Sequence, residues 1–114
     1  MATTRHEMID ELLVTRRQAQ RLALSLRFQG KEQQADAAEQ KEAELTARID
    51  ELLAAAMESW VHRAAEFTAR LRDINQRLTA SVESVRKREK NVAHVAGALA
   101  AIDDAIDLVA RLVP

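Results

Sequence analysis

Residues 45–67 read LTARIDELLAAAMESWVHRAAEF, and whether this segment is one helix or two determines how the rest of the chain packs. Within it apolar side chains recur at Leu45, Ile49, Leu52, Ala56, Trp60, Ala64 and Phe67. The same stripe runs on through Leu71, Ile74, Leu78, Val82 and Val85. The mean step is about 3.6 residues, the period of an unstrained α-helix. No Gly or Pro lies between Lys31 and Lys90. Acid-to-base pairs four apart, Glu44–Arg48, Glu66–Arg70, Asp73–Arg77 and Glu83–Lys87, support the same helix. The pattern predicts a single helix over 31–90, roughly 85–90 Å long at ~1.5 Å per residue.

Shorter helices are expected on either side of it. Thr4 and Glu7 have the spacing of a capping box. They open a helix over 4–29 whose stripe is Met8, Leu12, Ala19, Leu22 and Leu26, with Thr15 in its one polar slot. Gly30 can take the left-handed conformation that closes a helix without steric penalty. At the other end, Arg86-Lys87-Arg88-Glu89-Lys90 places cations over the last carbonyls, and Asn91 can turn the chain. A third helix over 92–112 carries Val92, Val95, Leu99, Ile102, Ile106, Val109 and Val113. Ala93, Gly97, Ala101 and Ala105 recur in it every four residues, so a neighbour can approach closely at Gly97 and Ala101. The expected fold is all-α, one domain over 1–114: an elongated antiparallel, coiled-coil-like bundle of short, long and short helices.

Two features predict the pairing. Ile9-Asp10-Glu11-Leu12-Leu13 recurs as Ile49-Asp50-Glu51-Leu52-Leu53, and the two copies are equidistant from a turn at Gly30–Lys31. Net charge also alternates: +2 over 1–30, −5 over 31–60, +4 over 61–90 and −2 over 91–114. Each antiparallel neighbour in sequence therefore has the opposite sign, which steers pairing more than it stabilises.

A continuous rod leaves its middle uncovered. The flanking helices reach roughly 31–57 and 70–90, so Trp60, Val61, Ala64 and Phe67 have no partner within the chain. Leaving such rings wet forgoes about 1.5–3 kcal/mol each. The expectation is self-association, as a homodimer or higher antiparallel assembly, through Trp60, Ala64, Phe67 and Leu71. The competing arrangement is a kink between Met57 and Ala65 that folds the chain into a four-helix monomer.

The chemistry-bearing residues point away from catalysis. With no Cys, thiolate nucleophiles, disulfides and Cys-ligated zinc are excluded. Ser25, Ser59, Ser81 and Ser84 have no His and acid at a recognisable spacing, and two glycines cannot build a phosphate cradle. Glu58, His62 and Glu66 would form one column of a long helix, but the Glu-x-x-His pairs of di-iron bundles are missing, so no metal or cofactor is expected. Met1–Leu12 is too charged for a secretory leader. The uncharged stretch 91–102 is too short against the ~20 residues of a membrane span, so a cytoplasmic protein off the membrane is expected.

The function these features support is a non-catalytic scaffold or adaptor that binds itself and another protein. The alternative is a nucleic-acid-associated accessory protein using Arg86, Lys87, Arg88 and Lys90. Acids interleave with those bases and no aromatic platform follows them, so nucleic acid ranks below protein as a partner. Small export chaperones are also helical hairpins of this length, although no motif here carries that assignment.

Overall fold

Gly30 closes the first helix as expected. In the computed structural model, which describes residues 2–55, 60–87 and 91–112, its φ is +76°. The Gly30 amide donates to the Arg27 carbonyl (3.1 Å) and the Lys31 amide to the Leu26 carbonyl (2.9 Å), the paired bonds of a Schellman ending. Nothing lies within 4 Å of where a Cβ would sit, so the glycine serves backbone conformation alone. Gly30→Ala should therefore lower stability by about 1–2 kcal/mol, the penalty of a left-handed L-residue. Gly30→Asn should lose less, and thermal unfolding of the two variants checks the order.

Among the described residues four α-helices follow one another: α1 (Ala2–Phe28), α2 (Glu32–Ala54), α3 (Ala64–Arg86) and α4 (Asn91–Leu112), with a 3-10 turn at Val61–Arg63 leading into α3. α1 begins two residues before the expected Thr4 cap, whose side chain is outside the described residues.

The long helix expected over 31–90 is corrected to two. α2 stops at Ala54, where Ala55 takes φ −70° and ψ 150° while its amide still bonds to the Glu51 and Leu52 carbonyls. The chain then reverses, and α3 restarts the stripe. By contrast α3 runs unbroken through Asp73, Ile74 and Asn75. Every described member of the stripe from Leu45 to Val85 is buried; Ala56 lies outside the described residues. Breaking the helix gives up a few internal hydrogen bonds and lets the second half of the chain cover the first. The resulting body measures 44 × 21 × 17 Å, half the length of the rod in its longest direction.

Cross-helix pairs give the topology. Gln20 Nε2 donates to Glu42 Oε1 (3.1 Å), so α1 and α2 are antiparallel and meet in the register that the Ile9–Leu13 echo predicts. Arg27 closes this hairpin against Glu39 (2.6 Å), Asp36 (3.1 Å) and Glu32. Hydrogen bonds to Glu39 and then Asp36 raise its guanidinium further above its ordinary range. α3 and α4 form a second antiparallel hairpin, with Arg77 Nη2 on Asp104 Oδ2 (3.3 Å) and Arg63 Nη1 on the Arg111 carbonyl (3.1 Å). The hairpins lie side by side with α1 parallel to α3 and α2 parallel to α4. α2 and α3 therefore stand at opposite corners of the bundle, as do α1 and α4.

This order places like-signed helices next to each other, and the minority charges of α1 and α2 do the pairing. Arg72 of α3 reaches Glu7 and Glu11 of the otherwise basic α1, both at 3.3 Å. Lys41 of the acidic α2 reaches Asp103 of α4 at 2.7 Å. Between α1 and α3 the core holds one polar cluster. The Thr15 hydroxyl lies 2.5 Å from Asn75 Oδ1 and 2.9 Å from the Glu11 carbonyl, its two available acceptors. Asn75 Nδ2 donates to that same carbonyl and to Glu11 Oε1, both at 2.9 Å. Thr15 and Asn75 are buried, so the cluster fixes the axial register of the two parallel helices.

Candidate interaction surface

The side chains expected at a self-association waist are packed inside this chain. Trp60 is 1% exposed and Phe67 0%, and Ala64 and Leu71 are equally buried. The Arg63 guanidinium lies 4.7 Å from the Phe67 ring centroid and that of Arg70 lies 5.8 Å away, closing the ring's edge of the core. The premise of a wet aromatic middle is therefore overturned, because the reversal after Ala54 supplies the cover that a rod lacks. The four-residue line of small side chains in α4 is split. Ala101 and Ala105 are buried, whereas Ala93 and Gly97 are exposed. A Cβ at Gly97 would meet Ser81 Oγ at 3.4 Å, so α3 and α4 are close there without requiring glycine.

The other expected sites disperse. His62 sits in the 3-10 turn and is exposed, Glu66 belongs to α3 and pairs with Arg70 (3.0 Å), and Glu58 lies outside the described residues. The column of a continuous helix is thus not formed. Among the described residues there is no group of three or more His, Asp or Glu side chains placed to hold a metal ion. None of the described helices is long and apolar enough to cross a membrane.

Of the basic run, Arg86 and Lys87 are exposed at the end of α3, while Arg88 and Lys90 lie outside the described residues. Arg86 is committed to Glu83 (2.8 Å). That hydrogen bond holds the Glu83 carboxyl below its usual range, with the charges of Arg86, Lys87 and Arg21 acting in the same direction. Glu83 and Arg86 line one α1–α3 groove with Arg21, so an ionised carboxylate stands where a phosphate would approach.

A different surface, which the core stripes do not predict, stands out. Among the described residues the exposed large apolar side chains are Phe28 (88%), Leu24 (59%), Leu53 (48%) and Leu13 (36%), and all belong to the α1–α2 hairpin. At ~100° per residue, Leu13, Leu24 and Phe28 fall within about 60° of one another on α1, opposite the buried Met8–Leu26 line. Leu24 lines a groove of about 310 Å³ with Gln20, Ala23, Glu39 and Glu42, which places it on the outer side of the hairpin, away from α3 and α4. The sequence does contain the signal, as a second and thinner stripe on α1, but the stronger stripe masks it. No protein-family model, curated protein or solved structure matches this chain.

Proposed function

We propose that this chain is a non-catalytic helical interaction module, a scaffold or adaptor that docks other polypeptides on the outer side of its α1–α2 hairpin. The observation that carries this reading is the exposure of Phe28. Burying a Phe side chain gains about 1.5–3 kcal/mol over leaving it in water. Single exposed apolar residues are ordinary on any surface, but Leu24 and Phe28 lie one turn apart on one face of α1, with Leu13 on the same face about 16 Å along it at ~1.5 Å per residue, and apolar side chains aligned on an outer face mark an interaction site. The charged frame around them supplies orientation: arginines on α1, carboxylates on α2.

Photo-crosslinking in the producing cell tests the reading. A benzophenone side chain is placed at Phe28, and in a separate protein at Gln76, an exposed position on α3. The expected result is a discrete adduct from position 28, lost when Leu24→Glu is added, and none from position 76. Equal, diffuse labelling from both positions overturns the assignment of the hairpin as a docking surface.

A further inference from the structure

We infer that the occupant of this surface is a second copy of the chain, docked hairpin on hairpin about a twofold axis parallel to the helices. The inference rests on the hairpin being the docking surface, and adds what covers it. Its basis is charge complementarity between the two helices of the hairpin. α1 carries five arginines and three acids; α2 carries seven acids against Lys41 and Arg48. From Thr15 to Phe28, α1 has four arginines and no acid; Arg21 faces Glu83 across the α1–α3 groove and Arg27 is bound within the hairpin, while Arg16 and Arg17 make no ion pair among the described residues. On the outer side of α2, Asp50 stands exposed without an ion pair among the described residues, beside the small, exposed Ala43 and Ala47, while Asp36 is already held by Arg27.

A twofold axis along the bundle lays α1 of each copy over α2 of the other, antiparallel. Basic helix meets acidic helix twice, in the same sense as within the hairpin itself. An axis perpendicular to the helices would stack α1 on α1, arginine on arginine, and so is disfavoured. The contact is isologous, so one patch serves both copies and the assembly closes as a dimer. The in-chain register, with Gln20 level with Glu42, carries over to the partner helix. Leu13 then falls level with Ala47 and Asp50 of the second copy, where small side chains leave room for its branched end. A flank of the bundle, 44 Å long and about 20 Å wide, is large enough to hold the ~800 Å² per partner of a stable interface.

The test is the solution mass by light scattering across about a hundredfold range of concentration, with cysteine pairs to read the arrangement. The chain has no native Cys, so each introduced thiol is alone. A reversible dimer is expected, and Leu24→Glu and Phe28→Glu should each raise its dissociation constant about tenfold or more, because each puts a carboxylate where an apolar side chain is covered. Both positions are exposed, so helical content should be unchanged. Leu13→Cys mixed with Ala47→Cys should oxidise to a disulfide-linked pair, while Leu13→Cys alone should not. Monomer at every concentration, or ready self-linking of Leu13→Cys, overturns the inference. A monomer whose position-28 crosslink has the mass of a different protein would end self-docking and leave the hairpin surface standing, whereas loss of both signals ends both.

Discussion

Phe67→Ala should lower the unfolding free energy by about 3–5 kcal/mol, the range for emptying a fully buried aromatic site. A domain of this size has about 5–15 kcal/mol in total, so the variant should be strongly weakened or unfolded at physiological temperature. The ring is fully buried, sits beneath the Arg63 and Arg70 guanidinium groups, and belongs to the helix that follows the chain reversal. Urea unfolding followed by circular dichroism reads the loss. The diagnostic feature is its independence of protein concentration. A ring packed within one chain lowers stability below that of the parent by the same amount at all dilutions, whereas for a ring at a contact between rods that difference would shrink on dilution. Leu71→Ala serves as the milder companion if Phe67→Ala yields no folded protein.

The second large effect should come from the polar pair between α1 and α3. Thr15→Val removes the hydroxyl that serves the Asn75 carbonyl oxygen and leaves that oxygen buried without a donor, for a loss of about 1–3 kcal/mol. Asn75→Leu alone should be less harmful, because the Thr15 hydroxyl then turns to the Glu11 carbonyl 2.9 Å away. The double variant Thr15→Val with Asn75→Leu should recover most of the loss, since removing both partners leaves nothing unsatisfied. What it should not recover is uniqueness: two parallel helices joined by apolar contacts alone can slide, visible as broadened or doubled NMR signals from α1 and α3. A double variant as weak as Thr15→Val would show that the site is limited by packing volume and not by hydrogen bonding.

The two interruptions of the helical pattern differ in how clearly the sequence announces them. Gly30 adopts a positive φ that other residues resist, so its identity betrays its conformation. Ala55 ends α2 in an extended conformation that any residue can take, and so nothing in its identity marks a break. The apolar stripe hides the break further. Leu52, Trp60 and Ala64 keep helical spacing across it because both helices face one core, so periodicity continues where the helix does not. The buried stripe of α1, its polar slot at Thr15 and the α1–α2 register were legible because each depends on neighbours within the same hairpin. The neighbours of α1 were only half legible. Block charges favoured opposite-sign contacts, whereas the α1–α3 and α2–α4 contacts rest on individual minority charges that a block sum conceals. The outer patch was visible residue by residue, but only the folded order reveals that Leu24 is free on one side while Leu22 is enclosed on the other.

The arrangement of like-charged helices side by side has an electrical consequence. With α1 beside α3 and α2 beside α4, positive charge gathers along one flank of the bundle and negative charge along the opposite one. Counterions screen a charge within ~8 Å at physiological ionic strength, whereas the flanks are separated by about 20 Å of low-dielectric protein. An approaching body therefore experiences one flank at a time, and the formal net charge of −1 describes none of its encounters. The molecule behaves as a transverse dipole that turns before it touches, so that orientation on arrival is selected by the field and the short-range contacts need only hold what has already been aligned.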